Sequence, residues 1–274
     1  MQLVSEEPWA TVHRISAGDG VSWFKACMPL QAFEPRLTAS LSERRPDHVT
    51  EVLDHLDGEW LLMRDAGTPI GTFDPYVNPP ETWDAVLPQY AELQRVEAAH
   101  VDEHLAAGVP DLRTETLPAR YEQMLLRDLP LEPHEIARLH RFAPRFAELC
   151  AELGSRGIAD SIQHDDLHMA NVYDRDGILR VLDWGDSCVS HPFASLFETF
   201  RHLDAPDWYP RLRDVYLEPW GSDLVDTFDL ALRVGTIAHS FAWLRQYDSL
   251  PDGAARDAFG IVGMLRLAVA QTDE

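Results

Sequence analysis

The segment from His164 to Asp186 reads HDDLHMANVYDRDGILRVLDWGD, and it determines the order of several short elements. Residues 161–163 and 171–173 are short extended segments, and residues 174–177 have the composition of a turn. The apolar run 178–182 is suited to a buried strand. The sequence therefore predicts a strand, a loop and a two-strand hairpin that returns an aspartate to the polar side chains of the loop.

Four polar residues of this segment have the spacing H-x-D-x4-N followed by the returning aspartate: His164, Asp166, Asn171 and Asp183. In a phosphoryl-transfer site with this pattern, the loop aspartate accepts the proton of the attacking hydroxyl. The asparagine and the returning aspartate hold magnesium. The spacing predicts a kinase, with Asp166 as the catalytic base and with Asn171 and Asp183 as metal ligands.

A second interpretation treats part of the same loop as a metal-hydrolase cluster. His164 and His168 lie four residues apart, with Asp165 and Asp166 between them, and such residues can bind zinc or a pair of metal ions. That interpretation leaves Asn171 and the returning aspartate without a role, so the kinase interpretation accounts for more of the segment.

Lysine usage points to a second half of the site. The chain has 23 basic residues, and Lys25 is the only lysine among them. It lies in a predicted strand at 21–27, which follows a strand at 11–15 and a turn at 18–20. Kinases use a lysine of the small lobe to bind the nucleotide phosphates, and the planar guanidinium of arginine is not equivalent there. Lys25 is therefore the predicted phosphate-binding residue.

With these residues in hand, the chain resembles the aminoglycoside phosphotransferase and choline kinase superfamily of small-molecule kinases. The resemblance covers nearly the whole length and rests on the loop His164–Asn171, on Asp183-Trp184 and on Lys25. It implies an α+β, two-lobed fold similar to protein kinases, with a small β-rich N-terminal lobe and a larger, mainly helical C-terminal lobe. We expect the N-terminal lobe to span residues 1–66 and the C-terminal lobe residues 67–274.

The resemblance also implies ATP and Mg²⁺ as cofactors and assigns further residues. Glu34, at the start of a predicted helix at 32–43, resembles the acidic partner of the lysine, although Pro35 places it in the first turn. The backbone of Leu62, Met63 and Arg64 is the expected hinge that hydrogen-bonds the adenine. His164 is expected to brace the loop, and His168 to contact substrate or phosphate or to remain internal.

The hydrophobic pattern of the rest of the chain agrees with this architecture. Strands are predicted at 49–56 and 59–64 around a turn at Asp57-Gly58. Helical spacing follows in the second part of the chain, at 81–107, 133–153, 193–202, 222–247 and 253–271. Strands early and helices late predict an α+β chain.

Three positions depart from the pattern of the family. The turn expected to cover the phosphates is Glu6–Ala10, after a first strand at Gln2–Ser5, and its two carboxylates and proline suit phosphates poorly. Asp165 replaces the glycine that commonly precedes the catalytic aspartate, and we expect its side chain to point away from Asp166. Ser195 stands where many relatives carry an aspartate, so a supporting hydrogen bond is expected to be rearranged.

Composition excludes some classes of protein. The formal net charge of −23 argues against binding of nucleic acid, since phosphate contacts need a basic surface. No apolar run approaches a membrane span, and the start of the chain lacks the features of a signal peptide, so a cytoplasmic protein is expected. The cysteines Cys27, Cys150 and Cys188 are widely spaced and predict neither a disulfide framework nor a zinc knuckle.

The acceptor of the phosphoryl group is left open. Residues 67–274 carry a net charge of −18, which favours a cationic alcohol such as an aminoglycoside or another amino-containing metabolite. Asp223, Asp226 and Asp229 are candidate amine contacts, although acids also suit a helix start. A choline-like ligand would need an aromatic cage, for which the candidates are Trp208, Tyr209, Tyr216, Trp220, Trp243 and Tyr247. A sugar-type alcohol is the remaining alternative for the acceptor. For the function, the alternative is a non-catalytic member of the family that binds only nucleotide.

Overall fold

The computed structural model describes residues 1–18, 20–74, 77–201, 203, 205–221, 223–250 and 260–273. Predictions that fall on the other residues lie outside the described parts: the middle of the turn at 18–20, the start of the helix at 222–247, the end of the helix at 193–202 and the first residues of the helix at 253–271. In the described part of the chain, no helix has the length and apolar character of a membrane span.

The N-terminal part of the chain forms an antiparallel sheet of five strands. Their bounds are Gln2–Glu7 (β1), Ala10–Ala17 (β2), Gly20–Cys27 (β3), Val52–Leu56 (β4) and Trp60–Arg64 (β5). The spatial order is β1, β2, β3, β5, β4. Glu7 pairs with Ala10, so Pro8 and Trp9 alone form the turn between β1 and β2. The first strand is therefore longer than predicted, and the turn is tighter.

One helix, α1 (Glu34–Arg44), separates β3 from β4. It begins at Glu34 because Pro35, which lacks a backbone donor, fits only the first turn. Leu37 and Leu41, one turn apart on the same face of the helix, are buried. A short helical turn at Pro29–Gln31 leads into α1, and it lies beside the cleft described below.

The chain leaves the N-terminal sheet through a close crossing at Gly67. Its φ is +100°, a value that favours glycine. A Cβ atom at this position would lie 2.1 Å from the backbone oxygen of Asp174, so no side chain fits. The next strand, β6 (Thr68–Pro69), pairs with β8 (Val172–Arg175) of the second lobe. We propose that the boundary between the two lobes lies after residue 66, and this crossing supports it.

The predicted strand, loop and hairpin of the central segment are present. Strand β7 (Ser161–Gln163) precedes the loop and pairs with β10 (Cys188–Ser190). Strand β8 pairs with β9 (Ile178–Val181) across a turn at Asp176-Gly177. Both turn residues have positive φ, 58° and 78°, as the commonest tight hairpin turns require.

In the remaining described residues the regular elements are eight helices: α2 (Trp83–Glu97), α3 (Val101–Ala106), α4 (Leu117–Leu125), α5 (Pro133–Gly154), α6 (Leu196–Arg201), α7 (Tyr209–Leu217), α8 (Val225–Ser249) and α9 (Ile261–Ala270). The predicted helix at 81–107 is interrupted by a tighter turn at Ala98–His100. Helices α4 and α7 were not predicted. Each is short and has a proline in its first turn, which reads as a loop signal in the sequence.

Candidate active site

Lys25 is the centre of a buried ion cluster between the two lobes. Its Nζ lies 2.8 Å from Glu34 Oε1 and 2.6 Å from Asp183 Oδ1. Strand β3 and α1 position the first pair, and the segment after β9 brings Asp183 to the same ammonium group. Burial opposes the charge, but the two carboxylates raise the pKa of Lys25 above its ordinary value and keep the side chain protonated.

Asp183 has a left-handed backbone, with φ of +65°, which turns its side chain into the cleft. Its side chain is 51% exposed, whereas that of Lys25 is 7% exposed. Desolvation in the cleft opposes ionisation, but the attraction of Lys25 prevails and lowers the pKa of Asp183. The carboxylate is therefore ionised at neutral pH and available to a cation.

His164 braces the loop from inside the protein and does not reach the cleft. Its Nε2 lies 2.7 Å from the backbone oxygen of Leu182, and its Nδ1 accepts the backbone N–H of Asp166 at 3.3 Å. A carbonyl can only accept, so Nε2 carries the proton and the ring is neutral. Burial agrees with this, since it lowers the pKa of His164. His164 therefore connects the loop to the residue before Asp183.

Ser195 supports the same loop through Tyr90. Its hydroxyl lies 2.6 Å from the hydroxyl of Tyr90, and Tyr90 accepts the backbone N–H of His164 at 2.9 Å. A tyrosine on α2 thus links Ser195 to the loop.

Asp166 and Asn171 are in direct contact within the loop. Asn171 Nδ2 donates to the backbone oxygen of Asp166 at 3.0 Å and to its Oδ2 at 3.1 Å. His168 Nε2 lies 3.3 Å from the same Oδ2, and the His168 ring meets the Phe73 ring edge-on. His168 is buried, and it borders the helix-side part of the cleft.

The donor set fits a magnesium ion that is shared with phosphates. The contact with the Asp166 backbone orients the Asn171 amide, so Oδ1 is the atom left for a metal. Asn171 Oδ1 and the Asp183 carboxylate are hard oxygen donors, and Mg²⁺ in nucleotide sites takes one or two such ligands beside the phosphates. Among the described residues, no group of three or more His, Cys, Asp or Glu side chains is placed to hold a metal by itself, without phosphate oxygens as further ligands.

Two cavities meet at Asn171 and Asp183, which line both of them. The first, of about 330 Å³, lies under the N-terminal sheet, and Lys25, Met63 and Ala66 are among its lining residues. We call it the sheet-side cavity. The second, also about 330 Å³, lies on the helical side, and Asp166 and His168 border it. We call it the helix-side cavity.

The residues of the predicted hinge lie in β5. Met63 and Arg64 border the sheet-side cavity, whereas Leu62 is not among its lining residues. Leu62 and Met63 both pair with residues of β3 and β4. The backbone of Arg64 is also occupied: its N–H donates to Glu51 and its oxygen accepts from Thr50. The Arg64 backbone is therefore already used within the sheet, and Ala66 lies at the cavity as well.

Several residues of the helix-side cavity were not predicted. They are Trp9 from the β1–β2 turn, Gln31, Phe73, Glu198, Arg201, His239 and Gln246. They come from elements far apart in the sequence, so no local spacing marks them. Trp243 was predicted as one of six cage candidates, and it is the member of that group that borders this cavity.

The acidic candidates at the start of α8 are not at the cavity. Asp223, Asp226 and Asp229 are exposed, and they do not border it. His239, which does border it, lies 13 residues beyond Asp226 along the helix. At 1.5 Å per residue this places Asp226 about 20 Å away. These three acids fit the helix start and are not contacts of this cleft.

Asp186 borders the helix-side cavity and has an unusual proton affinity. Gln246 Nε2 donates to its Oδ1 at 2.6 Å, and Arg245 Nη2 lies 3.7 Å from the same oxygen. Burial and the nearby charge of Asp166 raise the pKa of Asp186 to about 7. This carboxyl group therefore changes its charge within the physiological range.

Comparison of the sequence with protein-family models and with curated proteins gives no match. Solved structures do match over nearly the whole chain. The choline kinase LicA from Streptococcus pneumoniae has a TM-score of 0.67 at 13% identity, with 100% of this chain and 94% of that one covered. The chain has the two-lobed kinase fold.

Two phosphotransferases share this kinase fold. The macrolide 2'-phosphotransferase MphH from Brachybacterium faecium has a TM-score of 0.61 at 16% identity, covering 92% of each chain. The GDP complex of an aminoglycoside 2'-phosphotransferase-IIIa has a TM-score of 0.63 at 17% identity, covering 97% of this chain and 93% of that chain. The predicted two-lobed fold is confirmed.

Proposed function

We propose that this protein transfers the γ-phosphoryl group of ATP to a hydroxyl group of a small molecule. The observation that carries the proposal is the position of Asn171 and Asp183 in the wall shared by two cavities, with Lys25 on one side and Asp166 on the other. A nucleotide in the sheet-side cavity and an alcohol in the helix-side cavity would meet at that wall. The match to phosphotransferases and kinases supports the same assignment.

The chain's own residues account for the steps of an in-line transfer. Asp166 accepts the hydroxyl proton as the acceptor oxygen forms its bond to the γ-phosphorus, and the bond from that phosphorus to the β,γ-bridging oxygen breaks. ADP leaves with the electron pair. Lys25 binds the phosphates. We assign the backbone of Ala66 to the contact with the adenine ring. Magnesium held by Asn171 and Asp183 would neutralise phosphate charge.

We assign the acceptor to alcohols that also carry an amino group. Glu198 is already paired with Arg201, and Asp165 with His239, but Asp166, Asp183 and Asp186 add further negative charge to the same cleft. The five carboxyl groups of the lining outnumber its cationic side chains, Arg201 and His239, and a cleft with an excess of negative charge concentrates cationic ligands. Aminoglycosides and smaller amino-containing metabolites fit this description.

A choline-like acceptor has weaker support. Trp9, Phe73 and Trp243 border the helix-side cavity, but the Arg201 guanidinium lies over the Trp243 ring, 5.6 Å from its centre. That ring face is already used by a cation, which leaves an incomplete cage for a quaternary ammonium group.

Thermal unfolding with nucleotide tests the proposal without knowledge of the acceptor. We expect ATP with Mg²⁺ at 100 times its Kd to stabilise the fold by about 2.7 kcal/mol, and ATP with EDTA to stabilise it far less. ATP consumption is then measured with a panel of aminoglycosides, amino sugars, choline and simple sugars. Nucleotide binding without turnover would favour a non-catalytic protein, and no stabilisation by Mg-ATP would contradict the proposal.

The pKa of Asp186 predicts how binding of a cationic acceptor depends on pH. Because the raised pKa lies near 7, the group is mainly neutral at pH 6 and mainly ionised at pH 8. For an acceptor whose amine stays charged over this range, we expect KM to fall by about tenfold from pH 6 to pH 8, since charged pairs contribute more than neutral hydrogen bonds. Steady-state kinetics at several pH values measures this.

The control is Asp186→Asn, which keeps the hydrogen bond from Gln246 but cannot ionise. In this variant KM should stay at its high value at both pH values. A neutral alcohol of similar shape should show no such dependence with the wild type. An unchanged pH profile in Asp186→Asn would show that another group is responsible.

A further inference from the structure

We infer that His239 is a positioning residue for the catalytic loop and that it acts through Asp165. The inference rests on the proposed function for its kinetic part, and on the contacts of His239 for its structural part. His239 lies in the middle of α8 and borders the helix-side cavity, but it contacts Asp165 rather than the catalytic base itself.

His239 lies between two buried carboxylates. Its Nδ1 is 3.0 Å from Asp165 Oδ1, an ion-pair contact that is not aligned as a hydrogen bond, and its Nε2 is 2.9 Å from Glu198 Oε2. All three side chains are buried, with exposures of 7% or less. Glu198 also receives two hydrogen bonds from Arg201, at 2.9 and 2.6 Å.

The two neighbouring carboxylates favour the doubly protonated ring. A neutral ring with its proton on Nδ1 would place the lone pair of Nε2 against the Glu198 carboxylate. The Trp243 indole N–H donates to the same Nε2 at 2.9 Å, so the two neighbours compete for this atom: the indole favours a lone pair there, and the Glu198 carboxylate favours a proton. Burial opposes the charge, but Asp165 and Glu198 together raise the pKa of His239 to about 10.

Asp165 is held in a conformation that few residues adopt. Its φ is +61°, in the left-handed region, which explains why a glycine suits this position. Aspartate tolerates that region better than most residues. Here the side chain also gains a cationic partner on α8. The substitution of glycine by aspartate therefore comes with an additional contact.

The catalytic loop is therefore held from two sides, at Asp165 and at Asp166. His239 holds the side chain of Asp165, and His164 holds the backbone N–H of Asp166. Helix α8 packs against α5, α9 and the turn at Pro192–Ser195, so its middle is a firm support. Small displacements of a reacting group cost large factors in rate, so this contact bears on kcat.

The test uses Asp165→Gly, His239→Gln and the double variant. Glycine fits the backbone at position 165 without strain, so Asp165→Gly removes the contact without a backbone penalty. We expect each single variant to lower kcat by about tenfold with KM for Mg-ATP changed less than about twofold. Because one contact is lost in all three, the double variant should be no slower than the slower single variant.

Asp229→Asn, on the exposed face of the same helix, is the control and should match the wild type. Unchanged kcat in Asp165→Gly would overturn the positioning role. A kcat of the double variant that falls by the product of the two single decreases would overturn it as well. Thermal melts confirm folding of each variant. If His239→Gln does not fold, Asp165→Gly alone still decides the kinetic part.

NMR of the histidine side chains separates this inference from the proposed function. The His239 signal is assigned by its loss in His239→Gln or in His239→Asn. It should remain that of an imidazolium up to about pH 9. The charged or titratable groups around the ring are Asp165, Glu198, Arg201, Asp166, Asp186 and His168. In Asp165→Gly its titration midpoint should fall. A midpoint near the ordinary value of about 6.5 in the wild type would overturn the inference even if the enzyme is active.

If the wild type phosphorylates no acceptor, that result contradicts the proposed function. The NMR titration then decides the contact between His239 and Asp165 independently.

Discussion

Replacement of Asp166 with asparagine is expected to lower kcat by at least about a thousandfold, because removal of a general base commonly costs two to four orders of magnitude. The amide keeps the size of the side chain and can still accept the hydrogen bond from Asn171, but it cannot take the hydroxyl proton. Steady-state ADP formation measures kcat, and isothermal titration with Mg-ATP should show that nucleotide affinity changes little.

Asp176→Asn is the matched control for this variant. Asp176 is exposed in the turn of the β8–β9 hairpin, and its φ of 58° suits asparagine equally well. It should retain full activity. An Asp166→Asn protein that is as active as the Asp176→Asn protein would contradict the role of Asp166 as the base.

Replacement of Lys25 with arginine is expected to lower kcat/KM for ATP by about a hundredfold, although the charge is kept. The Lys25 ammonium group occupies a space that is almost closed to solvent, between Glu34 and Asp183 at 2.8 and 2.6 Å. A planar guanidinium is larger and cannot keep both contacts in the same geometry. It would displace Asp183, which is also the proposed metal ligand.

The control for Lys25→Arg is the reverse exchange at an exposed site. Arg36→Lys lies on the solvent side of α1 and should leave kcat/KM unchanged. Kinetics with varied ATP at saturating Mg²⁺ measures both variants. Equal kcat/KM for Lys25→Arg and the wild type would show that the phosphates are bound elsewhere.

The sequence predicts the central segment well because its signals are local. The Asp176-Gly177 turn, the apolar strand after it and the loop spacing all act within a few residues of one another, so pattern and turn chemistry agree with the final structure. The contact of Lys25 with Glu34 is also local, since nine residues separate them. The resemblance to a family then supplied the meeting of Lys25 with Asp183.

The helix-side cavity could not be predicted in the same way. Asp165 meets His239 on a distant helix, and Glu198 joins them from a third element, so the contact depends on how α6 and α8 pack around the loop. The hinge shows a different difficulty. A strand pattern predicts β5 but does not tell which backbone groups the neighbouring strands use, and Arg64 proved to be occupied by Thr50 and Glu51.

The tight turn between β1 and β2 bears on how two ligands in the proposed cavities would affect each other's affinity. Trp9 belongs to the N-terminal sheet, yet it borders the helix-side cavity, and its backbone oxygen is tied to Met28 at 2.8 Å. A ligand that draws the sheet toward the helices therefore also moves a wall of the other ligand's cavity. Such a shared wall makes the two binding free energies interdependent, and by linkage each ligand alters the affinity of the other by the same factor.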